Sequence, residues 1–223
     1  MYNAEAGNGG DVLYFQSDYI LRMIQMMGDF FRRLLETVSE TEKADEYDRL
    51  MRRQCGLDAN TAASLTAESL IELLPDTPRF VLSEMLYVRA YAFPLHDEEA
   101  EACLYKAYKL LLSVGNENLI CELRKDRLLE LFNRTYDLLT PQDMVEAVRF
   151  LLLADDFAKA EDILFDAIET SVDSARVDVI ASGKKLFVPL LSRSDKELKA
   201  GGLSLTEARE IVTELSAMLC QDK

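Results

Sequence analysis

Histidine occurs once in this chain, as His96. A Cys–His or Ser–His catalytic pair could use no other residue, and nothing near it in sequence completes one. The phosphate-cradling pattern G-x-x-x-x-G-K-S/T is absent, as are G-x-G-x-x-G after a strand and the G-x-S-x-G elbow. Cys55, Cys103, Cys121 and Cys220 are scattered, and no two have the C-x-x-C spacing of a zinc or redox motif. With no secretory signal read at the start, they are expected to be reduced thiols of a cytoplasmic protein. Basic residues are scarce, 25 against 40 acids, for a net charge of −15. That balance argues against nucleic acid, whose phosphates need clustered Lys and Arg, and against anionic membrane surfaces. No apolar run reaches eighteen residues, so no membrane span is expected. The expectation is therefore a chain with no catalytic residue, no metal and no cofactor, and not an enzyme.

What the chain does have is helical periodicity. Residues 140–171, TPQDMVEAVRFLLLADDFAKAEDILFDAIETS, read as two helices folded back at Asp155-Asp156. Thr140 suits an N-cap, Pro141 the first helical position, and Asp143 the positive end of the dipole. Met144, Val148, Leu151 and Leu152 recur at three- and four-residue spacing and share a face. Either aspartate of the corner can cap the next helix, whose stripe is Phe157, Ala160, Ile163, Leu164, Ala167 and Ile168.

Within that stripe Ala160, Leu164 and Ala167 form A-x-x-x-L-x-x-A, and the pattern recurs at Ala100, Leu104 and Ala107. A small residue each turn lets a neighbouring helix approach closely. On these residues the chain resembles the tetratricopeptide family over 77–114 and 140–171. The family's tryptophan, its first-helix glycine and its closing proline are missing, and the two copies lie sixty residues apart rather than a multiple of thirty-four. The expectation is all-α: about nine helices in stacked antiparallel hairpins, an irregular right-handed solenoid or bundle.

Other helices follow the same logic. Residues 1–17 read as a flexible lead or an engineered remnant, since LYFQS matches the end of a protease-cleavage sequence, leaving 18–223 as one domain. A first helix is expected over 18–40, with Met23, Met27, Phe31, Leu34 and Val38 on its apolar side. Its opening, DYILRMIQMMGDFFRRLL, resembles the start of an uncharacterised bacterial helical family of unknown function. Further helices are expected over 42–54, 65–74, 78–93 (opened by Thr77-Pro78, with Tyr91 inward), 98–114 and 119–139 (with Leu138 inward). The last are 173–191, where Gly183 suggests a kink, a short helix after Ser194, and 204–220. Arg49, Arg52 and Arg53 cluster, but with acids a turn or two away they read as a solvated face. His96 beside Asp97, Glu98 and Glu99 invites a metal reading, but consecutive residues diverge, and acids suit a helix start.

Two arginines carry the functional expectation. Arg89 and Arg149 each stand eleven residues before the first alanine of a signature. In tetratricopeptide-like hairpins that offset implies the inner face of the first helix, with Met85 and Phe93 beside Arg89, and Val145 and Leu152 beside Arg149. The resemblance implies a cytoplasmic module that binds a protein or peptide, and planar cations on an apolar groove suit an acidic group. The bland alternative is that each arginine pairs with a neighbouring acid, such as Glu146 one turn before Arg149. The alternative functions are a self-associating subunit, a homodimer through the Met- and Phe-rich first helix, or an enzyme whose site the sequence does not betray.

Overall fold

The computed structural model describes residues 9–114 and 118–221. It forms two compact units, Met1–Cys103 and Leu104–Lys223, where the sequence pattern suggests one domain. Twelve α-helices and two 3-10 turns, with no strand among the described residues, make the protein all-α.

The first unit holds α1 (Gly9–Glu36), α2 (Glu40–Cys55), α3 (Ala59–Ser64), α4 (Ala67–Leu73), α5 (Asp76–Ala92) and the start of α6 (Asp97–Ser113). Helix α1 begins at Gly9, so residues 9–17 extend a helix where a flexible lead was expected, and residues 1–8 lie outside the described part. It also stops early. Ser39 caps α2 by accepting the Glu42 N–H at 3.3 Å, which ends α1 and leaves Val38 in the connection, 94% exposed rather than in the core. Met23, Met27, Phe30 and Leu34 of α1 are buried, as are Tyr47, Leu50 and Met51 of α2. Both helices pack on α5. The sequence pattern misses α3, whose six residues bury only Ala62; Asp58 starts it by accepting the Thr61 N–H at 2.7 Å. Helix α5 starts at Asp76, not at the Thr77-Pro78 pair, and Pro75 is its N-cap. Tyr91 is exposed and lies against Tyr87 instead of facing inward.

The second unit takes the rest of α6, then α7 (Asn118–Thr135), α8 (Pro141–Leu153), α9 (Phe157–Thr170), α10 (Asp173–Phe187), α11 (Asp195–Ala200) and α12 (Leu205–Gln221). After α7 the chain tightens into a 3-10 turn, Tyr136–Leu138, which carries Leu138 outward to 46% exposure. Thr140 caps α8 as expected and forms a reciprocal box with Asp143. Asp143 also anchors α6: Tyr108 donates to its carbonyl at 3.0 Å, and Lys109 pairs with its carboxylate.

The corner between α8 and α9 corrects the capping expectation. Neither aspartate side chain caps α9. The carbonyl of Gly201 accepts the N–H groups of Phe157 and Ala158, at 3.0 and 3.2 Å. The α11–α12 connection thus supplies what a cap residue would. Asp155 adopts left-handed backbone, φ 54°, and its carboxylate pairs with Arg193. Gly183, where a kink was expected, lies within the unbroken α10 and is a contact point. A Cβ there would lie 2.5 Å from a methyl of Leu164, so α9 and α10 touch where α10 has no side chain. Capping boxes at Ser194/Glu197 and Ser204/Glu207 start α11 and α12, as the spacing predicts.

Candidate functional site

The six residues expected to line a groove fall in both units and have different fates. Met85, Val145 and Leu152 are buried core positions, 0%, 2% and 9% exposed. Apolar residues on the packed face of a helix are consumed by the core they build. Arg149 pairs with Glu146 at 3.0 Å across one turn, which is the bland alternative. With both side chains solvated, that pair contributes ~0–1 kcal/mol.

Arg89 and Phe93 differ. They lie on the last turn of α5 and beside its end, and line a cavity of about 310 Å³ in the first unit. Tyr47, Asp45 and Asp48 of α2 and Asn60 of α3 complete its wall. The buried Tyr47 hydroxyl donates to the Met85 carbonyl at 2.9 Å, and its ring meets Phe93 edge-on with centroids 5.2 Å apart. Burial pushes that phenol well above its ordinary value, so it stays neutral and holds its donor in place. Asp48 is also committed. Its carboxylate accepts the Ala59 N–H at 2.8 Å and pairs with Arg52 at 2.8 Å; these bonds hold its pKa below the ordinary carboxylate value, the backbone bond first.

Arg89 is less committed. Its one hydrogen bond, to the Ala59 carbonyl, is long at 3.4 Å, and among the described residues it has no ion pair. A guanidinium carries five donors in a planar fork, so most of that capacity is uncommitted among the described residues, on a side chain that lines the cavity. Asp45, exposed on the rim, likewise has no ion pair among the described residues. The cavity therefore offers one planar cation, one carboxylate and an aromatic wall. Asn60 is not legible as a site residue because the short α3 that brings it here leaves no periodic trace, and Asp45 because it is one of several acids on the solvated side of α2.

His96 is exposed just ahead of α6, and Asp97, Glu98 and Glu99 occupy that helix's first turn, where the dipole favours acids. No group of three or more His, Cys, Asp or Glu among the described residues is placed to hold a metal. No helix among them is long and apolar enough to cross a membrane. The methionine stripe of α1 is largely used inside its unit, although Leu21 and Leu35 remain exposed.

All four cysteines are free; Cys55, Cys103 and Cys121 are buried and Cys220 is exposed. Burial raises the Cys55 thiol to about 12. Native protein at pH 8 is expected to react with Ellman's reagent at Cys220 promptly, and at all four thiols only in denaturant. Prompt reaction of a second thiol would contradict the packing around α2, α6 or α7.

Residues 14–219 match the profile of a family described as a family of unknown function (DUF6483). No curated protein and no solved structure matches the chain.

Proposed function

The chain belongs to that family of unknown function, and from its own geometry we propose a cytoplasmic protein- or peptide-binding module without catalytic activity, docking its ligand at the Arg89 cavity. The observation that carries this reading is a half-buried guanidinium that has no ion pair among the described residues, beside an aromatic wall, in a chain with fifteen surplus acids. Among the described residues this cation makes one hydrogen bond, long at 3.4 Å. A carboxylate, from an acidic side chain or a chain terminus, would meet it in a bidentate pair. A basic neighbour in the same peptide would reach Asp45, so the cavity suits a segment carrying both signs. The tetratricopeptide-like pattern at Ala160, Leu164 and Ala167 adds support, since helix stacks of that kind present binding surfaces.

The test has two stages. Affinity capture from the source organism supplies a partner, and synthetic segments of that partner define the peptide that binds. Arg89→Ala is expected to weaken that peptide at least ~10-fold, equal to about 1.4 kcal/mol. The melting temperature should move little, because the side chain is not in the core. Unchanged affinity in Arg89→Ala would remove the site from this reading.

A further inference from the structure

A second cavity lies on the opposite side of α2, against α1, and is independent of the Arg89 reading. It measures about 200 Å³ and is lined by Phe30, Arg33, Glu46, Arg49, Leu50 and Arg53. Arg49 and Arg53 stand four residues apart on α2, so their guanidinium groups occupy the same face. Asp45 and Glu46 stand four and three residues before Arg49, yet neither pairs with it among the described residues, and no acid has that spacing to Arg53. Among the described residues neither Arg49 nor Arg53 has an ion pair, whereas the adjacent Arg52 pairs with both Asp48 and Asp58. Arg33 reaches Glu46 only at 3.8 Å. Phe30 and Leu50, buried beneath, form an apolar floor.

Charge distribution sharpens the point. Residues 22–53 carry seven acids and seven bases, so the whole net charge of −15 lies on the rest of the chain. Three arginines with one glutamate leave this cavity about two charges positive. Like charges four apart on a helix destabilise it, so the arrangement costs stability until an anion bridges the pair. Its charge matches a phosphate dianion better than a single carboxylate, and three guanidinium groups match three phosphate oxygens. The geometry points to a binding site for the phosphate group of a small soluble phosphomonoester, held by Arg33, Arg49 and Arg53. A small concave cavity and a strongly acidic chain both disfavour a charged lipid surface as the source.

The test is a nitrogen-15 amide titration of the full chain with O-phosphoserine and with inorganic phosphate, ionic strength being held constant with sodium chloride. Serine and sodium chloride alone are the controls. Saturable shifts confined to the amides around Arg33 and from Glu46 to Arg53 are expected, with a dissociation constant on the order of 1 mM or tighter. Arg49→Gln/Arg53→Gln should weaken binding at least ~10-fold, since it removes two charge-assisted contacts. Arg52→Gln, whose parent residue is tied to Asp48 and Asp58, and Arg89→Ala in the other cavity should both retain the response. The proposal is overturned if the shifts do not saturate, if chloride reproduces them, or if the double variant binds as tightly as the parent. A folded double variant is recognised by an unchanged amide spectrum outside α1 and α2. Should it fail to fold, Arg53→Gln alone carries the same prediction at smaller size.

Discussion

Leu164→Ala is expected to lower the free energy of unfolding by ~2–5 kcal/mol, measured by urea denaturation followed by circular dichroism. Leu164 is fully buried in α9, so truncation removes a large apolar group and leaves a void. Its position makes a stronger test available. The three atoms lost, Cγ and both Cδ, are those that a Cβ on Gly183 would strike, at 3.1, 2.5 and 2.7 Å. Gly183→Ala alone therefore forces α9 and α10 apart or pushes Leu164 off its rotamer, and should destabilise by ~1–3 kcal/mol. In the Leu164→Ala background the same change enters vacated space. It also replaces a helical glycine by alanine, which is favourable by ~1 kcal/mol. The double variant should be more stable than Leu164→Ala alone. Additive losses would mean that α9 and α10 do not meet at this point.

Gly201→Ala is expected to cost ~3 kcal/mol or more, at the upper end of overpacking penalties. Backbone conformation is not the reason, since φ is −95°. A Cβ would lie 2.2 Å from the Asp155 carbonyl oxygen and 2.5 Å from the Phe157 ring, which is itself fully buried. A flexible side chain could yield, but a carbonyl at a helix corner cannot move without its neighbours. Relief would also pull the Gly201 carbonyl away from the Phe157 and Ala158 N–H groups and leave the start of α9 uncapped. Gly28→Ala is the control, because a Cβ there meets nothing within 4 Å, and α1 should gain slightly in stability. If Gly201→Ala melts with the parent, the docking of the α11–α12 connection onto the α8–α9 corner is wrong.

Local signals are legible wherever one short stretch contains its own cause. Thr140 with Pro141 and Asp143, Ser194 with Glu197, and Ser204 with Glu207 start helices because cap and partner lie within one turn of each other. The stripes from Met144 to Leu152 and from Phe157 to Ile168 were equally legible, since a helix that must bury one face repeats its apolar residues at 3.6. Expectations failed where two local signals competed. Val38 continues the α1 stripe, but Ser39 starts α2 and the cap prevails. Leu138 continues the α7 stripe but falls in a 3-10 turn.

By itself, then, the sequence determined the all-α class, most helix starts and most of the core, because these depend on periodicity and on contacts within a turn. Tertiary structure alone decided which residues remain open. The eleven-residue offset treats Arg89 and Arg149 alike, yet Glu146 sits one turn from Arg149 and takes it, while Arg89 faces a cavity. Asn60 comes from a helix too short to leave a pattern, and Asp45 from a different element again. Likewise Arg49 and Arg52 each have an aspartate four residues before them, Asp45 and Asp48, yet only Arg52 pairs with its own. Arg52 pairs with Asp48 one turn earlier on α2 and with Asp58 beyond its end, while Arg49 and Arg53, on the side of α2 toward α1, have no ion pair among the described residues. Long-range placement of this kind has no sequence signature, because it depends on which helices meet and at what rotation.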